Sequence, residues 1–245
     1  MSVAALAELI RTQQPCVVLT GAGMSTESGI PDFRSETGIW AQYDSMEVAT
    51  IDAFRRDPAR VWEFYARRLG NLGDVAPNAG HRALADLETR GLVRAVVTQN
   101  VDGLHQQAGS RDVVEVHGTL RHAVCPACGA VEPMSAVLRQ LECAPVPACP
   151  LCADVLKPGV VLFGELLSEP VIGRATLLAR QAALVLVVGS SLEVWPAAGL
   201  PLESGAFAIV NRGPTALDGR AVLKLDAGAG DVLVALAGEL VTPSR

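Results

Sequence analysis

The chain has 245 residues, 20 Lys and Arg against 26 Asp and Glu, a net charge of −6, and half of its residues are hydrophobic. That apolar content excludes a disordered chain, and the acidic balance opposes a broad basic surface for nucleic acid. No apolar run reaches the ~18 residues of a membrane span, and six cysteines are too sparse here for a disulfide scaffold.

Residues 1–10 predict a short apolar helix, which lacks the basic start and small-residue cleavage site of a secretion signal. Residues 16–20 (CVVLT) predict a buried strand that feeds Gly21-Ala22-Gly23 and then a helix. Segment 32–78 holds much of the aromatic content and predicts a loop and helices over the sheet edge, placed as a lid, with one helix over 58–72. A helix over 78–90 and strands over 92–98 and 113–117 follow. Residues 118–160 break this rhythm, with four regularly placed cysteines, several prolines and no long apolar run. They predict a small insertion stapled by something other than a core. Beyond it lie a helix over 170–181, strands over 183–188, 207–210 and 222–225, and a helix over 230–240. Strands apolar along their whole length, alternating with helices, predict an α/β fold with a doubly wound parallel sheet.

Cys125-x-x-Cys128 and Cys149-x-x-Cys152 form two knuckles 20 residues apart, the spacing that brings four thiolates into the tetrahedron zinc prefers. Four thiolates leave no open position, so the zinc is expected to be structural. Cys143 reads as a bystander, with replacement of Cys149 the alternative, and Cys16 as a buried filler.

Gly21-Ala22-Gly23-Met24-Ser25 after a strand suits a nucleotide pyrophosphate, because glycines admit the phosphates to the backbone. Thr26 stands where a third glycine belongs, so the turn alone is equally compatible with a simple connection. The continuation Asp32-Phe33-Arg34 adds an acid, an aromatic ring and a cation that a plain connection does not need. Gln99, Asn100 and Asp102 end the 92–98 strand, where open α/β sheets bind ligands. His117 follows a strand and precedes a glycine, unlike His81, His105 and His122.

These segments together resemble the sirtuins, the NAD-dependent protein-lysine deacylases. The matching stretches are GAGMSTESGIPDFR (21–34), PNAGHRAL (77–84), TQNVDGLHQQAG (98–109), VHG (116–118), the two knuckles, KPGVVLFGE (157–165), GSSLEV with its Trp-Pro (189–196), and Asn211. The resemblance implies a discontinuous Rossmann-like domain (1–34, 77–118, 160–245) and a small domain made of a cofactor-loop and helical module (35–76) and a zinc module (119–159). NAD and an acyl-lysine peptide would meet between them. It further implies that Gly21, Ala22, Gly23, Ser25 and Thr26 cradle the pyrophosphate and ribose, with Asp32, Phe33, Arg34 and Trp40 on the cofactor loop. Gln99 and Asn100 would hold the nicotinamide ribose, Val101 and Asp102 the carboxamide, and Gly189, Ser190, Ser191, Asn211, Arg212, Gly213 and Ala229 the adenosine half. Val161, Phe163, Gly164, Glu193 and Val194 would line the peptide slot. His117 would be the general base, with Asn100 beside it, in a route through an alkylimidate to free lysine, nicotinamide and 2′-O-acyl-ADP-ribose.

Tyr65 and Arg68 lie three apart, on one face of the expected helix. The pair is similar to the one that holds the distal carboxylate in sirtuins acting on succinyl- and malonyl-lysine, with Ser45 expected at the pocket entrance. Both deacetylation and desuccinylation or demalonylation are therefore expected. A zinc-ribbon nucleic-acid module accounts only for the cysteines, and a nicotinamide dehydrogenase leaves the insertion without a reason. ADP-ribosyl transfer to a protein nucleophile is the nearer alternative. Reduced zinc thiolates point to a cytoplasmic protein, expected to be a monomer without nucleic-acid or membrane partners.

Overall fold

The structure is a computed structural model, which describes residues 2–72 and 75–241; Met1, Gly73, Asp74 and residues 242–245 of the expected domain ranges lie outside them. In chain order the elements are α1 (Val3–Thr12), β1 (Cys16–Thr20), α2 (Ser45–Val48), α3 (Ile51–Arg56), α4 (Pro58–Leu72), α5 (Ala79–Thr89), β2 (Ala95–Thr98), α6 (Leu104–Gln107) and β3 (Val113–Glu115). Then come β4 (Gly118–Val124), β5 (Val131–Pro133), α7 (Met134–Leu141), β6 (Lys157–Val160), α8 (Glu169–Gln181), β7 (Leu184–Val188), β8 (Phe207–Val210), β9 (Leu223–Leu225) and α9 (Ala229–Val241). Among the described residues no helix is long and apolar enough to cross a membrane.

Six strands form one parallel sheet in the order β3-β2-β1-β7-β8-β9. The doubly wound Rossmann-like sheet is therefore present, and its strand order reverses between β1 and β7. Both strands are buried at every position because each face is covered. Val18, Leu186 and Val188 pack under α1, α5 and α9 with Leu6, Leu84 and Leu233. Val17, Leu19, Val185 and Val187 face α8 and the 3-10 turn Ala197–Glu203 with Leu178 and Leu200. This double coverage is why the strands read as unbroken apolar runs.

Four expectations are corrected. The Gly21 turn opens into two 3-10 turns, Ala22–Met24 and Thr26–Ser28, rather than a helix. Any anion held there meets individual loop amides, not the end of a long helix. The strand expected over 113–117 stops at Glu115, and Gly118 starts an antiparallel sheet, β5-β4-β6. The insertion also has a core. Leu120, Val137, Leu156 and Leu162 pack with Val61, Trp62, Phe64 and Tyr65 of α4, and Trp62 Nε1 donates to the Leu156 carbonyl (2.7 Å). The helices α2 to α4 thus share a core with the zinc-bearing insertion and pack on it rather than on the sheet edge.

The four knuckle sulfurs lie within 4.8 Å of one another. Cys125–Cys152, Cys128–Cys149 and Cys128–Cys152 are separated by 3.4, 3.6 and 3.5 Å. Around a zinc with ~2.3 Å Zn–S bonds, tetrahedral sulfurs lie ~3.8 Å apart, so the set fits that ion. Cys143 is outside it and exposed. The knuckles are built alike: the Gly129 amide donates to the Cys125 carbonyl and the Ala153 amide to that of Cys149, both at 2.9 Å. Gly129 takes φ 74°, and Ala153 takes φ 63°, a left-handed conformation that its Cβ opposes. Ala153→Gly is expected to stabilise the zinc-loaded protein by about 1 kcal/mol, read as a Tm increase of roughly 2–4 °C in thermal melts.

Candidate active site

A cleft of ≈ 980 Å³ runs from the carboxyl ends of β1, β2 and β7 toward the strap that follows β6 of the small sheet. It opens where the strand order reverses, the place open α/β sheets reserve for ligands. At its floor the β1 and β7 loops touch. The Gly21 amide donates to Val188 and the Gly23 amide to Gly189 (3.1 and 2.9 Å). A Cβ on Gly21 would lie 2.7 Å from the Gly189 oxygen. One on Gly189, itself at φ +62°, would lie 2.4 Å from the Met24 nitrogen. Gly189→Ala therefore combines a left-handed penalty with a backbone collision, about 2–4 kcal/mol together. The expected result is a lower Tm and, for the nucleotide expected in the cleft, at least tenfold weaker binding by calorimetry.

Asn100, buried at the end of β2, donates through Nδ2 to the Gly21 carbonyl (2.9 Å) and Ser25 Oγ (3.1 Å). Ser25 Oγ donates to Asp102 Oδ2 (2.8 Å), and Asp102 Oδ1 accepts the Leu104 amide (3.0 Å). Gln99 Nε2 donates to Ser190 Oγ (2.9 Å), tying the β2 loop to the β7 loop. Beneath them Thr20 Oγ1 joins Thr98 Oγ1 (2.8 Å) and His105 Nε2 (2.9 Å), and Thr98 Oγ1 accepts the Asn100 amide (3.0 Å). His81 caps α5 with Asn78, and its ring meets that of His105 edge-on at 4.8 Å. Burial lowers both histidines, His81 to about 4 and His105 to about 3, so both are neutral at pH 7. The sequence sets these two apart from His117 without giving them a role; they lie buried beneath the β2 loop.

His117 lines the cleft with Nδ1 3.2 Å from the Gln99 carbonyl. A carbonyl only accepts, so Nδ1 carries the proton. Nε2 is then the lone-pair nitrogen, and it is buried without a hydrogen-bond partner among the described residues. Burial lowers the His117 pKa, with the Gln99 hydrogen bond acting the other way. The imidazole is thus neutral and its free nitrogen accepts a proton at neutral pH.

Of the expected cofactor and peptide residues, Gly213 alone does not line the cleft. It turns the β8 loop at φ +76°, donating to Asp226 Oδ1 (3.0 Å) while its carbonyl accepts Lys224 Nζ (2.9 Å) and Asn211 Nδ2 (3.4 Å), so its backbone groups are engaged within the protein. Ser45 is corrected too: it lines a separate shallow recess with Trp40 and Tyr43, and Ala49 is the small residue in the cleft wall. Ile30, Leu120 and Leu162 also line the cleft; nothing in their spacing sets them apart from core residues. Arg34 pairs with Glu193 (3.1 Å), so the cofactor loop is tied to one side of the expected peptide slot.

Tyr65 and Arg68 both face the cleft. Burial pushes the Tyr65 phenol up to about 12, with Arg68 opposing and Glu165 adding to the shift, so it remains an O–H donor. Burial lowers Arg68, against the pull of Tyr65 and Asp102. Its guanidinium lies over the Phe33 and Phe64 rings (5.1 and 5.6 Å) and pairs with no carboxylate among the described residues.

A model described as the Sir2 family matches residues 21–196. The chain belongs to the Sir2 family. This sirtuin is 42% identical over 241 residues to the "NAD-dependent protein deacylase" of Pyrococcus furiosus, with 96% of each chain covered. It is 52% identical over 208 residues to "NAD-dependent protein deacetylase 1" of Geobacillus kaustophilus, covering 82% of this chain and 83% of that one. A solved structure described as "Sir2-p53 peptide-NAD+" superposes with a TM-score of 0.90 at 37% identity, covering 98% of both chains. Another, of a Sir2 protein bound to a propionylated peptide, gives the same TM-score, identity and coverage.

Proposed function

We propose that this sirtuin is an NAD-dependent protein-lysine deacylase in which His117 is the general base. The free Nε2 of His117, buried between the glycine-lined and Phe163-lined halves of the cleft, carries the reading. NAD as co-substrate supplies a ribose carbon that becomes electrophilic as nicotinamide leaves, and the acyl oxygen traps it. Gly21, Ala22, Gly23, Ser25 and Thr26 offer loop amides and hydroxyls to the pyrophosphate end. Asp32, Phe33, Arg34 and Trp40 cover the cofactor. Gly189, Ser190, Ser191, Asn211, Arg212 and Ala229 take the adenosine end. Gln99 and Asn100 orient the nicotinamide ribose, and Val101 and Asp102 hold the carboxamide. His117 Nε2 removes a proton from a ribose hydroxyl so that its oxygen can attack the trapped acyl carbon.

The peptide runs beside Val161, Phe163 and Gly164, opposite Glu193 and Val194. Among the described residues the Val161 carbonyl and Gly164 amide have no hydrogen-bond partner, which suits an added strand of peptide backbone. The unpaired Arg68 and the protonated Tyr65 favour an acyl chain that ends in a carboxylate, so succinyl- and malonyl-lysine join acetyl-lysine as substrates. Cys125, Cys128, Cys149 and Cys152 hold zinc away from this chemistry, and the thiolates require a reducing compartment such as the cytoplasm. An acyl-lysine peptide incubated with and without NAD tests the reading. Deacylation confined to the NAD sample supports it, and deacylation independent of NAD refutes it.

A further inference from the structure

The strap of residues 160–165 carries Val161, Phe163 and Gly164 into the cleft, yet a side chain outside the cleft lining fixes its shape. Lys157, at the start of β6, turns its ammonium along the strap. Nζ donates to the Pro158 carbonyl (3.1 Å), the Val160 carbonyl (2.6 Å) and Glu165 Oε2 (3.0 Å). An ammonium has three donors, and all three are engaged. The same Glu165 oxygen accepts the Leu162 amide (2.8 Å), while the Glu165 amide returns to the Leu162 carbonyl (3.0 Å). The pair is only 14% and 23% exposed, so solvent and salt screen it less than a surface bridge.

Three backbone bonds tether the strap to its neighbours. The Val161 amide donates to the His117 carbonyl (2.8 Å), the Phe163 amide to Ala49 (2.8 Å), and the Ile51 amide to the Phe163 carbonyl (3.0 Å). These bonds join the strap to the His117 turn on one side and to α2 and α3 on the other. These bonds tie Val161 and Phe163 outward to neighbouring elements. Lys157 and Glu165 instead bind the strap to itself, engaging backbone at positions 158, 160 and 162. Phe163 remains 42% exposed and lacks dense packing to hold it.

We infer that Lys157 and Glu165 are positioning residues for the acyl-lysine, their ion pair holding the strap so that Phe163 and Val161 meet the substrate. The inference rests on the deacylase reading. Losing the pair leaves the nucleotide end intact, because the glycine loops at β1 and β7 do not touch it. The effect falls on peptide binding and spares both NAD binding and the proton transfer at His117.

The test measures the Kd of a labelled acetyl-lysine peptide by fluorescence anisotropy, alongside steady-state kinetics. Lys157→Met is expected to raise the peptide Kd and KM by roughly tenfold, with kcat and the KM for NAD within about threefold of wild type. Lys157→Arg, which keeps the charge and the donors, restores peptide binding. Glu165→Gln weakens it, and adding Lys157→Met to that background weakens it little further. A Lys157→Met protein that melts earlier but binds peptide within about twofold of wild type overturns the inference, as does equal loss of NAD binding. A wild type that binds the peptide without deacylating it sinks the deacylase reading alone. One that does not bind it sinks both.

Discussion

Replacing His117 with alanine is expected to lower kcat/KM for an acyl-lysine peptide by ~10²–10⁴-fold, the usual worth of a positioned general base. NAD and peptide affinities are expected to change little, because the cleft walls do not rest on this ring. Among the described residues the side chain makes one hydrogen bond, to the Gln99 carbonyl, and leaves Nε2 without a partner. The pH dependence has a definite sign. The active form is the neutral imidazole, and burial lowers its pKa below the ordinary 6.5. Activity should therefore be full at neutral pH and fall only as the pH drops through that lowered value. An acid limb centred above 6.5 would contradict the assignment.

Arg68→Met is expected to lower kcat/KM for a succinyl-lysine peptide by ~10²-fold, the worth of a charge-assisted hydrogen bond in a desolvated site. Turnover of the acetyl peptide should stay within about tenfold, because an acetyl group has no carboxylate to lose. Tyr65→Phe should give a smaller loss of the same selectivity by removing one neutral donor. The expectation rests on Arg68 lying over Phe33 and Phe64 with no carboxylate partner among the described residues. Unchanged succinyl turnover in Arg68→Met would refute the carboxylate clamp.

The parallel sheet was legible because β1 and β7 are covered on both faces, which leaves an unmistakable apolar run in each. The zinc site was legible because two short knuckles fix four sulfurs through local turns. What escaped sequence reasoning depends on contacts distant along the chain. α7 lies between the knuckles, and its buried residues make sense only beside Trp62 and Leu156, so the insertion read as coreless. The 3-10 turns after Gly21 lie against Gly189, a contact distant along the chain that no local propensity encodes. Loop spacing could not tell which residue between 40 and 50 reaches the cleft, so Ser45 stood in for Ala49. His81 and His105 carry no sequence mark of the buried layer they join, His105 by its hydrogen bond to Thr20 and His81 by its ring contact with His105. Positions 34 and 193 meet only because the fold brings the cofactor loop to the β7 loop.

The central claim is that NAD and acyl-lysine are consumed together at His117, with the acyl group transferred to ADP-ribose. The most direct measurement is mass spectrometry of the products from NAD and an acyl-lysine peptide, with wild-type and His117→Tyr protein side by side. Wild type is predicted to yield nicotinamide, free lysine peptide and O-acyl-ADP-ribose in equal amounts, and His117→Tyr almost none. Deacylated peptide without O-acyl-ADP-ribose, or a His117→Tyr protein indistinguishable from wild type, would contradict the claim.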